Sequence, residues 1–250
     1  MVSFLISGSP AAGDDKKEPI ATDRPDFTET AETVPFGMSQ IESGYTFSRN
    51  GAERAHSIGE LLLRIATGRR TELRLGINSF AAALGPGGNL SGFEDMSVGF
   101  KLKLIDGDLS NGFRRPNVAL IGGVTVPTGS SAYRENTVQP ESKLCLAWQL
   151  SERVSLGSNL NYGLPTENGS RFSQFSGTLS FGYALSNRHA AYLEYFAFIP
   201  GGRGGPNTSY LDGGMTFLVN DDFQLDARAG IGMNSTSPDY FVGLGAARRW

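Results

Sequence analysis

The chain has 250 residues, of which 33 are glycine, about 13 % and roughly twice the usual share, while charged residues make up only 19 %. The length fits one domain, since barrels of about 200 to 250 residues commonly fold as one. A net charge of -3 excludes the clustered cationic surface that nucleic acid needs, no apolar run approaches the ~18 residues of a spanning helix, and the single Cys145 excludes an internal disulfide. No Cys/His cluster has metal-ligand spacing, so neither a metal nor a cofactor is expected.

The first residues, MVSFLISGSPAAGDD, read as the back half of a signal peptide without its basic front, so they are either a truncated signal or a flexible tail. From Asp14 to Gly37 the chain is polar and carries Pro19, Pro25 and Pro35. This stretch is expected to be extended, as a plug in a barrel mouth or as disordered chain. The division is therefore residues 1–37 as N-terminal segment and residues 38–250 as folded domain.

After Gly37 apolar residues alternate with polar or small ones in stretches of about ten, which is a strand period. Ile41, Tyr45 and Phe47 oppose Gln40, Glu42, Gly44 and Thr46. Leu61, Leu63 and Ile65 oppose Glu60 and Arg64, and Leu73, Leu75 and Ile77 oppose Glu72 and Arg74. Similar rows follow through Phe100, Leu120, Leu146, Leu160, Leu179, Leu193, Met215, Leu225 and Leu244. The rows predict about twelve strands. Thr67 to Arg70, Ser151 to Arg153, Ser186 to Arg188 and Asn220 to Asp222 read as tight turns. Asn50 to Ala55, Phe80 to Ser91, Thr128 to Gln139, Pro165 to Ser170, Pro200 to Pro206 and Asn234 to Asp239 read as longer loops, with Ile105 to Pro116 a longer turn on the short-turn side. Strands of this length and even number, with short turns on one rim and long loops on the other, predict an all-β, transmembrane, antiparallel up-and-down barrel.

Period alone leaves open which face is outside. The wet face carries Glu42, Glu60, Glu72, Glu194, Asp212 and Asp226 against Arg64, Arg74, Lys101, Lys103, Lys143 and Arg228, among many glycines and small hydroxyls. That composition suits a crowded, hydrated lumen. Aromatics toward strand ends, among them Trp148, Tyr162, Tyr183 and Tyr240, suit interfacial girdles. Tyr192, Phe196 and Phe198 break the pattern by standing on the wet parity of the Glu194 strand, where rings can fill a core or stack against an aromatic solute. The charged residues and these rings are the candidate substrate path or lumen lining. Cross-strand pairs give an alternative bracing role, particularly Glu60, Arg64, Glu72 and Arg74, and Arg228 beside Asp212 and Asp226. The terminal row Tyr240, Val242, Leu244, Ala246, Arg248, Trp250 resembles the C-terminal signal read by the outer-membrane barrel assembly machinery, with Trp250 as its final aromatic. His56 and His189 are the two histidines, and His56 and Ser57 point to opposite faces of a strand, so no enzyme is expected.

Seven segments carry a family resemblance: Thr22 to Glu29 (TDRPDFTE), Gln40 to Thr46 (QIESGYT), Glu60 to Arg64 (ELLLR), Glu72 to Gly76 (ELRLG), Val126 to Ser130 (VPTGS), Leu211 to Gly214 (LDGG) and Pro238 to Gly243 (PDYFVG). They resemble the outer-membrane transporter, or meta-pathway of phenol degradation, family of Gram-negative bacteria. The resemblance implies a porin-like barrel in the outer-membrane bilayer with a role in uptake of small aromatic or hydrophobic compounds. The alternative is a structural or adhesive barrel with a filled lumen and no flux.

Overall fold

The period-2 pattern forms strands almost throughout the computed structural model, which describes residues 18–108, 114–167, 169–202 and 205–250. In chain order these are β1 (Ser39–Asn50), β2 (Glu53–Ala66), β3 (Thr71–Ile77), β4 (Phe80–Gly85), β5 (Gly88–Phe93), β6 (Met96–Ile105), β7 (Asn117–Val126) and β8 (Gln139–Gln149). There follow β9 (Val154–Gly163), β10 (Thr166–Glu167), β11 (Ser170–Arg171), β12 (Gln174–Ala184), β13 (His189–Pro200), β14 (Thr208–Asn220), β15 (Phe223–Gly232) and β16 (Tyr240–Arg249). Twelve of them close into an antiparallel barrel. Closure is made by β1, which pairs with β16 from Gln40↔Arg249 to Arg49↔Tyr240 and with β2 on its other edge. Among the described residues every strand of the barrel wall pairs on both edges, which the bilayer demands of any spanning sheet.

Two expected loops are ordered hairpin instead. Most of Phe80 to Ser91 forms β4 and β5, which prolong β3 and β6 beyond the long-loop rim, with β4 still pairing to β2 from Arg54↔Leu84 to Ile58↔Phe80. Asn50 to Ala55 shrinks to the two-residue turn Gly51–Ala52, where Gly51 takes φ +58°. Strict alternation also fails once within β2. A bulge opposite Ser43 inserts an extra residue, Gly59 adopts φ +102° and Glu60 φ +40°. A left-handed non-glycine is uncommon and strained; here it carries Glu60 inward although its neighbours keep their facing.

Which side is outside is settled by exposure. Leu179 is 52 % exposed and its neighbour Ser180 is 0 % exposed, and Phe100 at 56 % stands beside Lys101 at 0 %. Exposed apolar rows around a wall with buried charges invert the arrangement of a soluble barrel. The surface fits hydrocarbon, and each exposed Leu or Phe is stabilised by lipid instead of by a protein core. Ring pairs stand at both rims, Tyr45, Phe47, His56 and Tyr240 at the long-loop side and His189 stacked on Phe217 at the short-turn side, while other exposed rings such as Phe100 and Tyr195 lie mid-strand.

Candidate functional site

What fills the barrel is the chain's own start. Residues 18–38 enter at the short-turn rim, where Ile20 N donates to Asp221 O at 2.8 Å and Arg249 Nη2 donates to Glu18 O at 2.7 Å. They rise inside the lumen to an apex at Asp26, Phe27 and Thr28, then return to the same rim through Val34, whose N–H donates to Glu72 at 2.8 Å, and run into β1. Of the expected 1–37 segment, residues 1–17 lie outside the described residues. The remainder is ordered: Ile20, Thr22, Ala31 and Val34 are each at most 2 % exposed.

The wall explains why this segment sits there. Register places Arg64 of β2 directly opposite Arg74 of β3, and Glu194 of β13 directly opposite Asp212 of β14. Like charges facing across strands destabilise a sheet, more so when no water screens them. The inner segment brings carboxylates to the basic pair and hydrogen-bond donors to Glu194, while Asp212 is met by Tyr192 of the wall itself. Asp23 accepts from Arg74 Nη1 at 2.6 Å and Lys101 Nζ at 3.1 Å and lies 3.4 Å from Arg64 Nη1. Glu29 joins Arg74 Nη2 at 2.9 Å to Lys143 Nζ at 2.6 Å, and Glu32 pairs with Lys103 at 2.6 Å. On the acidic side, Phe27 N donates to Glu194 at 2.6 Å, Thr28 Oγ1 also contacts Glu194, and Tyr192 Oη donates to Asp212 at 2.9 Å. Asp26 accepts from Ser180 at 2.9 Å.

Between the two sides lies Arg24, bonded to Glu60 at 2.5 Å and to Asp226 at 3.4 Å, while the Asp23 and Arg24 backbone N–H groups each donate to Glu42 at 3.0 Å. Its guanidinium lies across Gly44 and Gly245, a directly paired couple of β1 and β16, in space that a Cβ on either glycine would occupy. Burial alone raises the Asp23 pKa, but Arg64, Lys101 and Arg74 together outweigh it and hold the carboxyl well below its usual 3.8. Glu29 is likewise lowered from 4.5, burial opposing and Arg74 and Lys143 prevailing.

Every charged residue expected to face inward does so, yet the pairings differ from the expected braces. Glu60, Arg64, Glu72 and Arg74 do not form a self-sufficient hairpin ladder, because the two arginines oppose one another and Glu72 shares itself between them at 2.9 Å each. Arg228 does sit opposite Gly214 with Asp212 on the diagonal, but its guanidinium reaches past the carboxylates to Pro25 O at 2.9 Å and Thr46 Oγ1 at 3.0 Å. Asp226 turns to Arg24. Ser180, the inward neighbour of lipid-facing Leu179, is fully buried under Asp26. Sequence reasoning about the wall missed the residues that complete it: Asp23, Arg24, Asp26, Phe27 and Glu29. The signal was present as a charged, proline-bearing run preceding a wall rich in buried-parity arginine and lysine.

Toward the long-loop side the apex meets aromatic rings. Phe27 stacks on Phe196 with centroids 4.8 Å apart and planes at 19°, and meets Phe198 edge-on at 5.1 Å. Phe196 stacks in turn on its cross-strand partner Tyr210 at 4.8 Å and 18°. Phe241 continues the row at 6.3 Å from Tyr210, with Arg228 over its face at 5.4 Å. Below the apex a cavity of about 200 Å³ is lined mostly by charged side chains, Asp23, Arg24, Glu60, Lys143 and Arg228 among them, with Pro25, Phe27 and Leu62 its apolar members. His56 bonds to Tyr45 Oη at 2.9 Å within the rim girdle. Among the described residues no cluster of His, Cys, Asp and Glu is arranged to hold a metal ion.

This architecture is that of a bacterial outer-membrane β-barrel with an internal strap. The family described as "Putative MetA-pathway of phenol degradation" matches residues 22–250, and the chain belongs to it. An outer membrane channel from Pseudomonas putida F1 is similar with TM-score 0.71 at 15 % identity, over 88 % of this chain and 98 % of that one. The NanC porin aligns with TM-score 0.53 at 10 % identity, over 84 % and 98 % of the two chains. The translocator domain of the autotransporter NalP from Neisseria meningitidis gives 0.52 at 11 %, over 85 % and 87 %. These likenesses concern the fold. No curated protein matches by sequence.

Proposed function

We propose that this protein is a passive, non-enzymatic outer-membrane channel for small aromatic or hydrophobic solutes, closed at rest by residues 18–38. The observation that carries this reading is the way the lumen is filled. A wall built only as a scaffold would bury apolar side chains or fully self-paired charges, whereas this wall places Arg64 against Arg74 and Glu194 against Asp212 and draws part of the compensation, Asp23 for the arginines and the Phe27 and Thr28 donors for Glu194, from a separate segment. A charged lumen that keeps wall partners such as Glu72 and Glu42 and draws the rest of its compensation from one separate strap is suited to opening. The aromatic row Phe196, Phe198, Tyr210 and Phe241 supports single-ring compounds as the solute class, because offset and edge-on ring pairs are favourable beyond simple burial. Glu42, Lys101, Lys143, Tyr192 and Asp226 line the same proposed path. For assembly we assign Trp250, 58 % exposed at the end of β16, as the residue that the barrel assembly machinery reads.

The test is planar-bilayer conductance together with uptake of phenol into liposomes carrying the full chain. Discrete conductance steps and protein-dependent uptake are expected. A folded, heat-modifiable preparation with neither would overturn the channel and favour the filled structural barrel, for which the dense ion network Asp23, Arg64, Arg74, Lys101 speaks.

A further inference from the structure

The apex of the inner segment presents a benzene ring to a ladder of benzene rings. We infer that Phe27 acts as a built-in competitor for aromatic solute: it occupies the position on Phe196 and Phe198 that a solute ring takes, so that solute binding and seating of the apex exclude one another. The inference rests on the channel reading for the route by which solute arrives, and adds how the strap is released.

Three features place the competition at Phe27. First, its ring is the outermost member of a continuous parallel stack, Phe27 on Phe196 at 4.8 Å and Phe196 on Tyr210 at 4.8 Å, with Phe198 closing the side at 5.1 Å. Phe196 and Tyr210 are held by strand pairing, whereas Phe27 belongs to a segment with no strand partner, so it is the ring that can leave. Second, Phe27 is the one member of the stack that lines the largely charged cavity of about 200 Å³, so a solute reaching that cavity meets Phe27 before the other rings. Third, the other apex contacts are polar, among them the Phe27 N–H to Glu194 at 2.6 Å, Thr28 to Thr178 at 2.6 Å, Ser180 to Asp26 at 2.9 Å and Arg228 to Pro25 O at 2.9 Å, and a phenolic hydroxyl can replace the first of these as it arrives. Coupling is reciprocal by thermodynamic necessity: whatever loosens the apex must strengthen solute binding, and solute must loosen the apex to the same degree.

The chain carries its own reporter. Cys145 of β8 is 0 % exposed because Ala31 of the inner segment packs over it with Ala119 and Ile121. Reaction of Cys145 with a small methanethiosulfonate reagent in the folded, detergent-held barrel therefore reads strap displacement and requires no added cysteine. Phenol should raise that rate saturably, by about 2- to 10-fold, the weight of one aromatic pair, while cyclohexanol at equal concentration should not. Phe27→Ala should raise the rate without solute and remove its dependence on phenol; Phe27→Leu, which keeps bulk without a ring, should likewise lose the phenol response. An unchanged wild-type rate in phenol, an equal response to cyclohexanol, or a full phenol response in folded Phe27→Ala would each overturn the competition. Phenol uptake by liposomes with an unchanged Cys145 rate would overturn it and leave the channel standing, whereas a phenol-dependent rate without uptake would support the competition and overturn the channel.

Discussion

Asp23→Asn is the substitution that most directly weighs the strap. It keeps the shape of the side chain and removes one charge from a site where Arg74 Nη1, Lys101 Nζ and Arg64 Nη1 lie 2.6, 3.1 and 3.4 Å away. Deleting one partner of a buried ion pair costs about 3 to 5 kcal/mol, because the charge left behind keeps its desolvation penalty and loses its compensation. Here the wall retains Glu72 and Glu42 as partners for Arg64, Arg74 and Lys101, which favours the lower end, about 3 kcal/mol. That corresponds to roughly a hundredfold rise in the population with the strap displaced. The cost falls on the seated state, since once the strap leaves, water can enter and solvate the arginines. Single-channel open probability in planar bilayers reads this population, and reaction of Cys145 reads it independently; Asp23→Glu should restore part of the closure. A folded Asp23→Asn barrel whose open probability and Cys145 rate both match the wild type would refute the view that compensation by Asp23 holds the strap.

Because the Asp23 pKa is lowered, its contribution is present above the usual 3.8 and is lost only as pH falls through the lowered value. The difference in open probability between wild type and Asp23→Asn should therefore stay constant from about pH 8 to pH 5 and shrink only in strong acid; a midpoint near neutrality would contradict the ion cage. Leu179→Arg and Phe100→Arg place a charge on the lipid face and should each remove about 2 to 4 kcal/mol of barrel stability, seen as loss of the folded, heat-modifiable band. Ser180→Arg should leave that band largely intact but unseat the apex, since its Oγ lies 2.9 Å from Asp26 Oδ2, so raised conductance with a normal band is the expected pattern and a quiet channel the contrary one. Deletion of Trp250 should slow appearance of the folded band in cells more than it lowers stability once folded; normal outer-membrane levels without it would remove the assembly role.

Strand number, facing and the two kinds of rim follow from period 2, because a one-residue slip would put Lys101 or Glu194 into lipid, and such cost fixes the pattern along every strand. Facing says nothing about pairing partners, however. Arg64 and Arg74 read as members of a balanced ladder, and only the register, set by the turn at Thr67 to Arg70, reveals that they stand opposite each other. The bulge at Gly59 and Glu60 was equally hidden, since an extra residue changes no composition. The N-terminal segment was legible as charged and proline-bearing, but its acids acquire meaning only after the wall's cations are placed in space. Asp23 lies 78 residues from Lys101, and Glu29 lies 114 from Lys143, distances at which no local rule operates.

Ions crossing an opened lumen should follow the side on which the wall leaves uncompensated charge. The cations Arg64, Arg74, Lys101 and Lys143 lie on β2, β3, β6 and β8, whereas Glu194, Asp212 and Asp226 lie on β13, β14 and β15. With Lys103 added and Glu42, Glu60 and Glu72 offsetting part of the cationic side, a displaced strap would still expose a lumen with an excess of cations on one side and of carboxylates on the other, and Arg228 is the cation that β15 sets beside the carboxylates. In the closed state its two hydrogen bonds, to Pro25 O and Thr46 Oγ1, tie the apex to β1. Hydrogen bonds to charged groups contribute about 1.5 to 3 kcal/mol, so Arg228→Ala should raise open probability on the order of tenfold to a hundredfold. Once open, removal of that charge leaves the acidic side uncompensated, and rings or rows of carboxylate favour cations. Reversal potential in a salt gradient should then move toward cation selectivity in Arg228→Ala. Raised open probability with an unmoved reversal potential would place the ion route along the arginine and lysine side instead, and an unchanged open probability would show that Arg228 does not tie the apex at all.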